Sequence, residues 1–124
     1  MLFCKHIYSH VNIFEHAYQV TEIEAQKLAV FERAAELFGL LSTPIRLRII
    51  SELCNCEKNV GQLLECIEVA QPNMSQHLNM LYRAGVVAKR RNGAQVFYRI
   101  ADESAALVCR AVCTQVAGEL DGHF

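Results

Sequence analysis

The chain has 124 residues with a formal net charge of −1; 52% of the residues are hydrophobic and 20% charged. That balance excludes a disordered or collagen-like chain, and the length suits one domain with a modest core. No run approaches the roughly 18 consecutive apolar residues of a membrane span, so a soluble, cytoplasmic protein without a membrane partner is expected.

Residues 1–21 are poorly periodic and read as an N-terminal extension, with Cys4, His6, His10 and His16 as its chemistry-bearing side chains. Residues 22–120 read as the folded domain. From Glu22 the spacing turns helical: Ile23, Val30, Ala34, Leu37 and Leu41 form one stripe, flanked by Phe31, Ala35 and Phe38. Ser42-Thr43-Pro44 is a start signal for a second helix, with Thr43 as N-cap and Pro44 at the first helical position. That helix carries Ile45, Leu47, Ile49, Ile50 and Leu53 and runs out in a polar connector, Asn55–Asn59.

Asn59 can cap a short third helix containing Val60, Leu63, Leu64, Cys66 and Ile67, on which Cys66 is expected to pack as a small hydrophobe. Gln71-Pro72 opens a fourth helix, Pro72 to Ala84, with Met74, Leu78 and Leu81 on its core stripe and Gly85 as a left-handed stop. Two strand-like runs follow, Val86–Arg91 and Ala94–Ile100, around Asn92-Gly93, a strong hairpin signal. Asp102 caps a last helix that reaches about Glu119.

That last helix is apolar nearly all round between Ala105 and Ala117, interrupted only by Arg110, Thr114 and Gln115. Such a helix needs cover on more than one side. A second copy of the chain, joined through the first and last helices, is the expected cover.

Charge is unevenly placed. Residues 1–70 carry −3, residues 71–100 carry +5 with no acid at all, and residues 101–124 carry −3. A carboxylate-free cationic segment suits a polyanion, because each neutralised phosphate releases counterions. Within it, the fourth helix offers Gln71, Asn73, Met74, Ser75, Gln76 and His77, and the hairpin offers Lys89, Arg90, Arg91, Asn92 and Gln95. Amides pair bidentately with adenine in the major groove, while hairpin cations suit phosphates or the minor groove. Two short helices with a tight break, then a basic hairpin, make a winged helix-turn-helix: mainly α with a small β-hairpin, reading double-stranded operator DNA. No Gly-rich phosphate loop, redox Cys-x-x-Cys or nucleophile triad is evident, so no enzyme and no cofactor are expected.

The run Leu41–Ile50, the block Gln71-Pro72-Asn73-Met74-Ser75-Gln76-His77-Leu78 and the wing ending Phe97-Tyr98-Arg99-Ile100 resemble the ArsR/SmtB family of small winged-helix repressors. The resemblance covers about residues 25–118 and implies a homodimer that leaves a palindromic operator when an inducer binds. It also bears on what is sensed. The place of the family's metal-sensing Cys-x-Cys falls at Asn59 and Gly61, so Cys54 and Cys56 lie outside it. Asp102 matches the first ligand of the family's zinc site on the last helix, but Ser104, Gln115 and Gly118 take the other places, and no metal site is expected.

The remaining chemistry is thiols. Cys54 and Cys56 end the second helix, and Cys109 and Cys113 stand i, i+4 on the last. The layout is similar to the family's persulfide and redox sensors, although their usual positions align with Ser51 and Ala117. The sensing thiols expected are therefore Cys54 with Cys113, then Cys56 and Cys109, reacting with sulfane sulfur or oxidant. The alternative inducer is a thiophilic metalloid held by three thiolates, such as Cys54, Cys56 and one other.

Overall fold

A computed structural model describes residues 13–121, with side chains from Thr21 onward. Cys4, His6, His10 and His16 lie outside the residues whose side chains are described. The chain divides into two compact units between Glu36 and Leu37. The first is helical: α1 spans Ile13–Leu40, so it begins well before Glu22 and passes through residue 21 without a break. Leu28, Val30 and Phe31 on it are exposed.

The second unit holds the core. Thr43 caps α2 (Pro44–Leu53) by accepting from the Arg46 backbone N–H, with Pro44 at the start as expected. The connector is not wholly irregular: Lys58–Asn59 form a short strand, β1. Asn59 then caps α3 (Val60–Cys66) in a reciprocal box, its side chain accepting from the Gln62 N–H while the Gln62 side chain accepts from the Asn59 N–H. Cys66 is exposed rather than packed in the core.

Helix α4 covers Gln71–Arg83. It stops at Gly85 (φ 78°), where the Val86 N–H reaches back to Leu81 and the Gly85 N–H to Tyr82. This is the six-to-one and five-to-two pattern that a left-handed residue permits.

Strands β2 (Val87–Asn92) and β3 (Gln95–Ile100) pair antiparallel, and β1 adds to the far side of β3. Asn92 lies opposite Gln95, so the two-residue loop is Gly93-Ala94, one position later than the Asn-Gly signal suggests. Gly93 has φ 64° and Ala94 has no positive φ, the pattern of a type II′ turn with glycine first.

Helix α5 (Glu103–Asp121) starts on Asp102, which accepts from the Ser104 N–H at 2.9 Å. Ile49, Ile50, Leu63, Met74, Leu78, Leu81, Val86, Val87, Ala105 and Cys109 form the core that fixes α2, α3, α4, α5 and the sheet together. No described helix is long and apolar enough to cross a membrane.

Candidate nucleic-acid interface and thiol cavity

Met74, Leu78 and Leu81 anchor α4 by one narrow stripe. The opposite side presents Asn73, Ser75, Gln76 and Asn79 to solvent, with Gln71 exposed at the first turn. Met74 is fully buried, so it belongs to the core and is withdrawn from the set of DNA-contacting residues. Its spacing with Leu78 and Leu81 already carried that signal.

His77 takes an intermediate place. Its Nδ1 is buried and has no hydrogen-bond partner among the described residues, and burial, then the nearby Arg46 cation, push its pKa down. His77 therefore favours its neutral form and stands on the flank of that exposed face. Arg46 is itself buried, donating from Nε to the Leu40 carbonyl at 2.5 Å and from Nη1 to the Met80 sulfur at 3.4 Å.

The wing cations are not equivalent. Lys89 lies over the Tyr82 ring, 4.2 Å from its centre, which ties the wing to the end of α4. Arg90 stacks on Phe97, its cross-strand neighbour, at 5.0 Å, and donates to both carboxylate oxygens of Glu57. Arg91, Asn92 and Gln95 stand exposed at the tip, and no ion pair among the described residues engages Arg91. The acid-free segment thus acquires a carboxylate from the α2–β1 connector. A pairing across thirty-three residues leaves no local sequence signal.

The thiols divide as well. Cys54, Cys109 and Cys113 line one cavity of about 210 Å³, together with Ser51, Asn55 and Arg110. Ser51 stands one turn before Cys54, the C-cap residue of α2, and Cys109 and Cys113 stand one turn apart on α5. Cys109 is buried; its Sγ donates to the Leu47 carbonyl at 3.5 Å and lies 4.0 Å from the Cys113 Sγ. Burial, then the neighbouring Cys113, push the Cys109 thiol up to about 12, so it stays protonated near neutral pH. Cys54 and Cys113 are half-buried. Cys56 is exposed and stands outside the cavity lining, as does Cys66, although its carbonyl accepts from Arg48 at 2.6 Å. Among the described residues no three His, Cys, Asp or Glu side chains are disposed to hold a metal ion.

Residues 43–89, from the α2 cap into the wing, match the arsR family of bacterial regulatory proteins. The chain is 40% identical over 91 residues to the biofilm growth-associated repressor of Xylella fastidiosa, a match covering 68% of this chain and 80% of that one. The chain belongs to the arsR family. It is also 39% identical over 77 residues to the transcriptional repressor SmtB of Mycobacterium tuberculosis; there the match takes in 62% of this chain but only 57% of the relative's length. Among solved structures, the homodimeric winged helix-turn-helix DNA-binding domain of Mb0332 from Mycobacterium bovis superposes with a TM-score of 0.67 at 28% identity. That likeness covers 79% of this chain and 91% of that one. In this arsR-family chain the stretch matched by the family takes in α2, α3, α4 and the start of β2.

Proposed function

We propose that this arsR-family chain is a homodimeric transcriptional repressor that binds operator DNA through α4 and the wing, and releases it when sulfane sulfur reacts with Cys54 and Cys113. The repressor part rests on the family and on the exposed amide face of α4 beside the wing cations. The dimer is supported by an apolar stripe on α5: Ala105 and Cys109 are buried, but Val112, Val116 and Leu120, which continue the same helical face, are open to solvent. The Mycobacterium bovis relative is itself homodimeric, which supports a dimer here.

The observation that carries the sensing step is the single cavity shared by α2 and α5 and lined by three thiols. A Cys54 thiolate attacks the outer sulfur of a persulfide, R–S–SH; the S–S bond breaks, R–S⁻ leaves with the bonding pair, and Cys54 becomes Cys54–S–SH. The Cys113 thiolate then attacks the inner sulfur, forming the Cys54–Cys113 disulfide and expelling HS⁻. The disulfide ties the C-terminal end of α2 to α5. Since α2 packs in the core with α4 and α5 carries the dimer stripe, the bridge favours a dimer geometry with displaced reading helices.

The test is release of the protein from its own promoter fragment by polysulfide and, separately, by arsenite. Sulfur mass gain or an internal cross-link with loss of binding is expected. Release by arsenite alone, dependent on Cys54 and Cys56, overturns the sulfur reading in favour of the metalloid one. Failure to retard any duplex overturns the repressor reading.

A further inference from the structure

The thiol cavity does not end at the cysteines. A second cavity of about 210 Å³ abuts it, sharing Cys54 and Arg110 and adding Arg99, Glu103, Leu53, Ile100 and Ala106. Arg110 therefore faces both spaces, and no ion pair among the described residues engages it. The inner cavity has no carboxylate: its polar wall is Ser51, Asn55, Arg110 and the thiols. In the outer cavity Arg99 and Arg110 face one acid, Glu103, which leaves a net positive charge.

A guanidinium beside an attacking sulfur acts on two groups. It pulls on a neighbouring thiol, as Arg110 does on Cys109, where burial and then Cys113 outweigh that pull and hold the thiol protonated. It also attracts an anionic group on the incoming molecule, with a planar fork suited to a carboxylate. The leaving group in the first step, R–S⁻, develops its negative charge in the same place.

We propose that Arg110, assisted by Arg99, forms an anion subsite that makes the thiol site selective for negatively charged sulfane-sulfur donors. This rests on the sulfur-reactive reading above and names its substrate class. Two sources share that chemistry: organic persulfides bearing a carboxylate, which place R in the outer cavity beside Arg99 and Arg110, and inorganic polysulfide, whose charge lies on the sulfur chain itself. Neutral or cationic persulfides of the same size gain nothing from the guanidinium.

The experiment uses the full chain and a charge series: the persulfides of 3-mercaptopropionate, 2-mercaptoethanol and cysteamine, with inorganic tetrasulfide as a separate arm. Rates of sulfur addition are followed by intact-protein mass. The anionic organic persulfide is expected to react about fivefold faster than the neutral one, the factor that one charge pair supplies at contact distance in a water-like dielectric. Added salt shrinks the ratio. Arg110→Gln brings the ratio close to one whatever it does to absolute rates, and Arg110→Lys keeps most of it.

A wild-type ratio near one together with a tetrasulfide rate that Arg110→Gln leaves unchanged, or an organic ratio unchanged in Arg110→Gln, overturns the subsite while leaving thiol reactivity standing. No sulfur addition from any donor overturns the sulfur-reactive reading itself and the subsite with it. Acceleration by tetrasulfide but not by the carboxylate persulfide assigns the subsite to the inorganic source; the reverse assigns it to the organic one.

Discussion

Glu57 and Arg90 close a two-point ion pair across the connector and the wing, with the Arg90 Nε 2.9 Å from one carboxylate oxygen and 3.1 Å from the other. The guanidinium holds the Glu57 carboxyl below its usual range, and the carboxylate raises Arg90. Both side chains are substantially exposed, so the pair contributes little to stability, and a duplex phosphate can compete for the same donors. Glu57→Gln is expected to tighten binding to any duplex and to steepen the salt dependence by about 0.9 in log–log slope, one added phosphate contact. Fluorescence anisotropy across a salt series measures it; an unchanged slope refutes competition at Arg90. Arg91→Ala, at the open tip, moves the slope the other way.

Gln76 and Met74 are two residues apart and face opposite ways. Gln76→Ala is expected to reduce discrimination between operator and random DNA by about 1–3 kcal/mol with little change in folding. Met74→Ala opens the core and costs about 2–5 kcal/mol of stability. Competition binding and chemical denaturation separate them, and equal stability loss in both would contradict the facing assigned here.

Cys113→Ser should leave operator affinity intact while abolishing the Cys54–Cys113 disulfide and release by polysulfide. Cys56→Ser should change neither, because that thiol lies outside the cavity lining. Retained release in Cys113→Ser removes that residue from the switch.

The α5 stripe predicts that Val116→Glu disrupts the dimer, since a charge would be buried against an apolar partner face. Sedimentation velocity should then show monomer, with weaker binding to a palindromic site. A persistent dimer places the interface elsewhere.

Cys109 gives a pH signature. Its folded pKa of about 12 lies above the ordinary 9.0, so the folded state holds its proton more tightly than the unfolded one. The associated stability is fully present below about pH 9 and is lost as pH rises toward 12. Wild-type thermal stability should therefore fall more steeply over that window than Cys109→Ala. Parallel pH profiles would mean that the thiol is not desolvated.

Local chemistry was legible in the residues themselves. The Thr43-Pro44 start, the Asn59 cap, the Gly85 stop and the hairpin follow from side chains acting on their own backbone within a few positions, and they appear nearly where expected. The helical period of α4 already held the separation of Gln76 from Met74, yet Met74 is expected from the sequence both on the core stripe and among the DNA-contacting residues, and its burial removes it from the second set.

Tertiary structure decided what depends on approach between distant segments. It paired Glu57 with Arg90, added β1 to the sheet, brought Cys54 to Cys109 and Cys113 while leaving Cys56 aside, and set Arg110 between two cavities. Charge pairing, desolvation and thiol reactivity vary with distance and burial in three dimensions, neither of which is encoded in the order of residues along a local stretch.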